Sequence, residues 1–597
     1  MNEILNKKEH QKNLSLFLQR YPKYSLFFSR IEEEFELVFE NKKLNAKHIQ
    51  GGCFLYDFPL NKFSSWQKTL DLDDREVLCV YGLGLGYSYD FLKKWLHKKK
   101  ERDLIFVEDE TLLPLFLKTS KSKEMLNDPQ VHFYFKMKDE DEAAFLDEIA
   151  IEFPFQKMAI VPSLEKKEAP FINFKEKFLR SNVYFSALQI EELYSCRQFE
   201  NFLSNLKRIP SSFFLNSLKN KFKDIPALIC GAGPSLYEEK EEILKMYDKA
   251  LIIAGGSAIT ALSSYGLQAH MGVIIDPNEE EFLRLKKSRL LEMPIIYTTR
   301  SQSKVFDTFN GPLGYFKSSF VGEHHEYAEK ELNIDAENFQ FHSREAFSVT
   351  TENIALAHFL GCSPIILCGV DLAYSDNLRY GPGVSDKNEV VADNDPGNLT
   401  FEKEDRFGQK VLTCMRWAME SDYISSYAKT YNLEIINATS KGIGFKDIKY
   451  TALSDVEKKL KSIDLSGYFH ALSFQEYFDI SYERVEKLIR KLKKSLSFCK
   501  KCTNVIVKEL RVLKKENKNL ETPLMIVSRY ELEKEIAYQC LLKSSKRALD
   551  KQIAKYHKPW NKAFTKKDHV KMSYDLWHNF SHMIDQYRDN SFFKNFS

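Results

Sequence analysis

Between Ala227 and Thr439 the chain repeats one pattern: a short apolar run, then glycine or a small polar residue, then a helix-like segment. ALIC (227–230) leads into Gly231-Ala232-Gly233-Pro234-Ser235, and LIIAGGS ends at Ser257. HMGVIID ends on Asp276, PIIYTT follows near Ile295, SPIILCGVD ends on Gly369 and Asp371, and LEIINAT ends on Asn437 and Thr439. Strands alternating with helices imply a mostly parallel sheet with right-handed crossovers. Ligands of such a sheet belong outside the strand carboxyl ends, which is where these polar residues fall.

The first strand end carries the clearest chemistry. Ala227–Cys230 reads as a buried strand, and a helix-like segment follows from about Leu236. Ser235 with Glu238 three residues on fits a capping box. A strand, a glycine turn and a helix N-terminus together form an anion site, where free N–H groups and the helix dipole meet a phosphate. The plain alternative is a tight strand–helix turn without a ligand.

An earlier stretch has a similar outline. Val77–Tyr81 reads as a strand, Gly82, Gly84 and Gly86 follow in alternation, and a helix begins near Tyr87. The next strand, DLIFVED, carries Glu108 where a dinucleotide fold meets a ribose hydroxyl. A Rossmann-like unit that binds nothing is the alternative. The residues before it read as two amphipathic helices with a β-like piece around Gly51–Phe58. Lys175–Arg208 reads as a long helix, and the chain beyond about Tyr450 as helices with apolar stripes and basic faces. The fold class is therefore α/β, in three parts. Residues 1–205 form a smaller Rossmann-like domain with a connecting helix, 206–455 a central Rossmann-like domain with a mostly parallel sheet, and 456–597 a helical domain.

Composition excludes several classes. A net charge of +3 over 597 residues, with Lys and Arg interleaved with Glu, argues against a nucleic-acid partner. No run approaches the roughly 18 apolar residues of a membrane span, and the N-terminus lacks the apolar core of a signal peptide. Cysteines inside strand-like runs (Cys79, Cys230, Cys368) are those of a reduced protein, so the expected location is cytoplasmic. No metal site is expected: Cys499 and Cys502 form a CxxC without a second pair, and His324-His325 are adjacent on a helix. There is neither a P-loop motif nor a GxSxG nucleophile elbow.

A nucleotide-sugar site needs donors for phosphate, side chains for ribose and base, and stabilisation of the departing charge. Gly231, Gly233, Pro234 and Ser235 answer the first need. Ser257 and Asp276 suit ribose or base, although Asp276 serves equally as a Mg²⁺ ligand or an N-cap. Ser348, Thr350 and Thr351 stand before a helix, as caps or as further donors. Gly369, Asn437 and Thr439 lie at the same strand ends, and Tyr374 and Tyr380 either donate to a leaving phosphate or pack their loop.

CGAGPSL, GGSAITALSSYGLQAHMGVIIDP, SVTTENIALAHFLGCSPIILCGVDLAY, GQKVLTCMRWAMESDYI and INATSKG together resemble the motility-associated factor (Maf) family. These are bacterial flagellin glycosyltransferases that share a domain with archaeal 6-hydroxymethylpterin pyrophosphokinases, and the same motifs are similar to bacterial CMP-sialic acid sialyltransferases. The resemblance implies transfer of a nonulosonic acid (pseudaminic, legionaminic or sialic type) from its CMP-activated form to Ser or Thr of a protein, with flagellin the expected acceptor. It puts Gly231, Gly233, Pro234 and Ser235 at the phosphate and Ser257 and Asp276 near ribose and cytosine. Thr350 and Thr351 fall at nucleotide or sugar, and Tyr374 and Tyr380 at the leaving group. No cofactor is required beyond the sugar donor, and Mg²⁺ is compatible with it. The sialyltransferases carry a histidine base downstream of the GxD strand, whereas no histidine occurs here between His358 and His470. Asp371, Asp405 and Glu420 are the candidate bases. The alternatives are a pterin pyrophosphokinase-like ATP enzyme, with Asp276 and Asp371 as metal ligands, or a non-catalytic flagellin partner.

Overall fold

The central strands are apolar at successive positions, and in the computed structural model both of their faces are covered. The structure describes residues 3–40, 43–56, 62–70, 72–154, 157–288, 292–317, 322–334, 348–385, 400–471, 479–516, 518, 520–556 and 565–589. Contacts divide the chain into two units. The first is Met1–Ile190 with Asn394–Gly397 and Lys551–Met572, and the second is Glu191–Asp393 with Asn398–Asp550 and Ser573–Ser597.

In the first unit, β1 (Phe35–Glu40) and β2 (Lys43–His48) form an antiparallel hairpin. β structure therefore begins well before the Gly51–Phe58 piece expected from sequence, because Phe35, Leu37 and Phe39 set a period of two. Then β3 (Val77–Tyr81), β4 (Asp103–Asp109), β5 (Val131–Lys136) and β6 (Met158–Pro162) make a parallel sheet in the order β5-β4-β3-β6. The glycine loop after β3 is closed by the unit's own side chains. Glu108 accepts from the amides of Leu83 (2.8 Å) and Gly84 (3.0 Å) through Oε2, and from Lys166 Nζ (2.5 Å) through Oε1. A Cβ on Gly84, whose φ is +53°, would overlap the Tyr56 hydroxyl. Glu108 thus holds the glycine loop through its own carboxylate.

The second unit contains β7 (Phe213–Phe214), β8 (Ala227–Cys230), β9 (Leu251–Gly255), β10 (Met271–Ile274), β11 (Ile295–Tyr297), β12 (Leu313–Tyr315) and β13 (Ile365–Cys368). A hairpin of β14 (Thr400–Glu404) and β15 (Lys410–Cys414) precedes β16 (Ile435–Asn437). The sheet order is β16-β13-β8-β9-β10-β11-β12-β7, and every pairing is parallel. Neighbouring residues of a strand feed opposite cores: Leu228, Ile252 and Ile366 join one apolar cluster, and Ile229, Ile253 and Ile365 the other. This is the two-sided burial that parallel sheets require. The first cluster continues into the helices after β16, where Val485, Leu488, Leu492, Leu496 and Cys499 line one face of the Tyr482–Glu516 helix and meet Phe580, Ile584 and Tyr587. Both thiols of the CxxC motif are buried here. Among the described residues no helix is long and apolar enough to cross a membrane.

Burial opposes ionisation of Glu108, but Lys166 and the amides of Gly84 and Asp109 outweigh it and hold the carboxyl below its usual range. Glu108→Gln leaves the mostly buried Lys166 without its main partner. Chemical denaturation should register a loss of about 3 kcal/mol, the order found when one partner of a buried ion pair is removed.

Candidate functional site

The chain passes from β8 to β9 on one side and returns with β13 on the other, so the sheet's topological switch point lies at the carboxyl ends of β8 and β13. Two loops meet there. The amide of Gly231 donates to Cys368 O and that of Gly233 to Gly369 O, both at 2.8 Å. A Cβ on Gly231 would overlap the Gly369 carbonyl, and one on Gly233 the Asp371 carboxylate. The glycines are thus demanded by the neighbouring loop. Ser235, fully buried, donates its hydroxyl to Asp371 Oδ1 and its amide to Oδ2 (3.2 Å), while Ser375 donates to Oδ2 (2.7 Å). A carboxylate therefore stands at the turn where the sequence suggests a phosphate. Burial raises the Asp371 carboxyl above its usual range, against the pull of the Ser235 and Ser375 hydrogen bonds.

The expected capping box does not form. Pro234 is the N-cap and no side chain caps the helix, which ends at Glu238 and is followed by a second short one, Lys240–Lys245. Glu238 pairs instead with Lys441 (2.6 Å), which also holds Asp376 (2.6 Å). Asn437 and Thr439 support the crevice from beneath: Asn437 Oδ1 accepts the Thr439 amide (2.9 Å), and Thr439 Oγ1 accepts the Val370 amide (3.1 Å). Tyr374 is buried with its ring 4.7 Å from that of Trp417. Tyr380 is half-buried, and its neighbour Gly381 donates to Ala232 O (2.8 Å).

A second group forms beyond β9 and β10. Ser257 opens the Gly256–Ser264 helix, half-buried, and Asp276 is exposed after β10. Glu281 and Arg284, which lie in the acidic run NEEEFLRL, join them. Arg284 Nη2 contacts Glu281 Oε2 at 2.7 Å and lies 3.9 Å from Asp276 Oδ2. Sequence reasoning misses this pair because such a run reads as a solvated helix face, yet Glu281 is buried and pushed up to about 7 by burial and then by Asp276.

The third group is the Val349–Leu360 helix, whose start meets the end of β9 through Val349 and Gly255. Ser348 is its N-cap, accepting the Thr351 amide (3.2 Å) and donating to buried Glu420. Thr351 returns its hydroxyl to Ser348 O (2.7 Å), and Thr350 is half-buried. The next two residues, Glu352 and Asn353, are buried, with Glu352 Oε2 and both amide atoms of Asn353 lacking hydrogen-bond partners. Burial pushes Glu352 up to about 8, against the pull of Arg300, and Glu420 up to about 7, against that of Ser348. Asp405 lies elsewhere, accepting the Phe407 and Gln409 amides (2.8 Å each) in the turn between β14 and β15. His324 and His325 are buried with rings 4.0 Å apart, and burial holds both well below the usual range. Among the described residues no three His, Cys, Asp or Glu side chains converge as a metal site.

Residues 200–377, from before β7 to the loop after β13, match the family model "6-hydroxymethylpterin diphosphokinase MptE-like". Among solved structures the chain is similar to the Maf glycosyltransferase from Magnetospirillum magneticum AMB-1. Identity is 16%, the match covers 98% of this chain and 97% of that one, and the TM-score is 0.51. The chain has the Maf fold. No curated protein matches the sequence. The MptE-like stretch of this fold contains the strands on both sides of the switch point and the three groups above, apart from Tyr380, Gly381, Trp417, Glu420, Asn437, Thr439 and Lys441.

The raised carboxyls set a pH dependence. Glu281, Glu352 and Glu420 release their protons near pH 4.3 when unfolded but only at about 7, 8 and 7 when folded. The folded chain then holds more protons between these values, so stability falls as pH rises through that window. The buried histidines act the opposite way, below about pH 6.5. The melting temperature should therefore decline from about pH 6.5 to 8.5. Glu352→Gln should flatten the upper part of that decline, and an unchanged profile in this variant refutes the assignment.

Proposed function

We propose that this chain is a glycosyltransferase that moves a nonulosonic acid from a CMP-activated donor to a serine or threonine hydroxyl of a protein, with flagellin the expected acceptor. The observation that carries the reading is that the MptE-like match falls on the switch point of a sheet whose surroundings have the fold of a Maf glycosyltransferase. The donor lies along the strand ends, ribose and base toward Ser257, Asp276, Thr350 and Thr351. The turns Gly231–Ser235 and Gly369–Asp371, braced by Asn437 and Thr439, form the floor.

The glycosidic C–O bond to phosphate breaks ahead of bond formation to the acceptor oxygen, through an oxocarbenium-like state. The task is then to hold the departing phosphate and to orient the acceptor. Tyr374 and Tyr380 donate to the phosphate, and the acceptor's proton leaves with CMP. Asp371 orients Ser235 and Ser375 through the bonds described above. No metal is needed for these steps. The reaction runs in the cytoplasm, where the CMP-sugar is available.

The description of the matching family model favours a second reading, a pterin diphosphokinase using ATP and Mg²⁺ with Asp276 and Asp371 as ligands. Thermal melts separate the two. CMP or a CMP-sugar at about a hundred times its Kd should stabilise the protein by roughly 2.7 kcal/mol without metal. A response to ATP only with Mg²⁺ selects the kinase, and silence to all of them selects a non-catalytic partner. Under the first reading, Tyr380→Phe should lower the rate of donor cleavage by about a hundredfold, the order seen when one preorganised donor is removed, with the melting temperature preserved.

A further inference from the structure

We propose that Arg284 receives the phosphate of the donor nucleotide and that Glu281 takes up a proton as it binds. The inference rests on the donor class proposed above, and on geometry around the end of β10. Glu281 is tucked against the start of the Gly256–Ser264 helix, its Oε1 2.5 Å from where a Cβ on Gly256 would stand. Gly256 has φ +39°, so the position favours glycine on both counts. The carboxylate lies beside the helix start that carries Ser257, read from sequence as a ribose or base contact, and Arg284 spans Glu281 and the exposed Asp276.

Arg284 is suited to accept a ligand. Its side chain is 23% exposed, Nη2 is engaged by Glu281, and Nε is buried without a hydrogen-bond partner. A guanidinium presents its remaining N–H groups as a planar fork that matches a phosphate edge. The charged groups facing Glu281 are Asp276 and Arg284, while Glu279 on the same helix pairs with Lys304 (3.3 Å).

A phosphate on Arg284 adds a negative charge beside a carboxyl that already titrates at about 7. Like charge raises it further, so the proton is held more tightly in the complex than in the free protein. Binding at neutral pH then draws a fraction of a proton from solution.

Titration calorimetry of CMP into the full chain, in buffers of different ionisation enthalpy near pH 7.5, measures that fraction directly. We expect net uptake, greater than zero and below one proton per CMP. In Glu281→Gln the uptake vanishes while CMP still binds. Arg284→Ala weakens binding roughly ten- to a hundredfold, as loss of a charge-assisted hydrogen bond does, and Arg284→Lys falls between, retaining charge without the fork. Circular dichroism melts confirm folding of each variant, and Arg284→Lys serves if the alanine variant fails to fold. Equal CMP affinity in wild type and the Arg284 variants overturns this assignment and leaves the donor reading intact. Uptake that persists in Glu281→Gln overturns the proton coupling. Absence of CMP binding to the wild type overturns both the assignment and the donor reading.

Discussion

Burial of the central sheet on both faces is the constraint from which the rest follows. Alternate residues of β8, β9 and β13 go into two separate apolar cores, leaving no strand face for polar work. Polar side chains are pushed to the carboxyl ends, where the backbone turns and no partner strand covers them. The concentration of Ser235, Asp276, Asp371, Asn437 and Thr439 at that edge is a consequence of packing before it is a property of any ligand.

At that edge the chain meets its own glycine turns with its own carboxylates. Asp371 takes the Ser235 amide after β8 and Glu281 lies against Gly256 after β9, while in the first unit Glu108 takes the amides of Leu83 and Gly84. A glycine turn next to a helix start concentrates partial positive charge. Buried in a low dielectric, that charge is satisfied by whatever anion the fold can supply. At Glu108 and Asp371 the anion is locked by lysine or by serine hydroxyls, whereas at Glu281 it is shared with a half-open arginine. That difference in closure is the physical basis of the exchange proposed at Arg284.

The sequence makes the architecture legible wherever apolar runs are long and end abruptly, as at Val77–Tyr81, Ala227–Cys230 and Ile365–Cys368. It misses β7 and β12, where FF and LGY give no apolar run ending in a turn of the kind that marks the similarly short β11 and β16. Site residues are legible by position but not by partner. Ser235 and Asp371 are 136 residues apart, and nothing local tells that one carboxylate will take the other's amide and hydroxyl. The same holds for Ser348 and Glu420. Glu281 and Arg284 are hidden for the opposite reason: they are neighbours in an acidic run that reads as a solvated face, and the close approach of Glu281 to the helix at Gly256 goes with its burial.

The apolar cluster shared by the sheet and the late helices has a consequence for synthesis on the ribosome. The last strand of the sheet is complete at Asn437, yet Phe580, Ile584 and Tyr587 belong to the cluster that covers one of its faces. At ordinary elongation rates the interval between them is roughly ten to thirty seconds. During that time the earlier helical residues of the cluster, such as Phe199, whose ring ends 5.3 Å from that of Tyr587, wait without their last apolar partners.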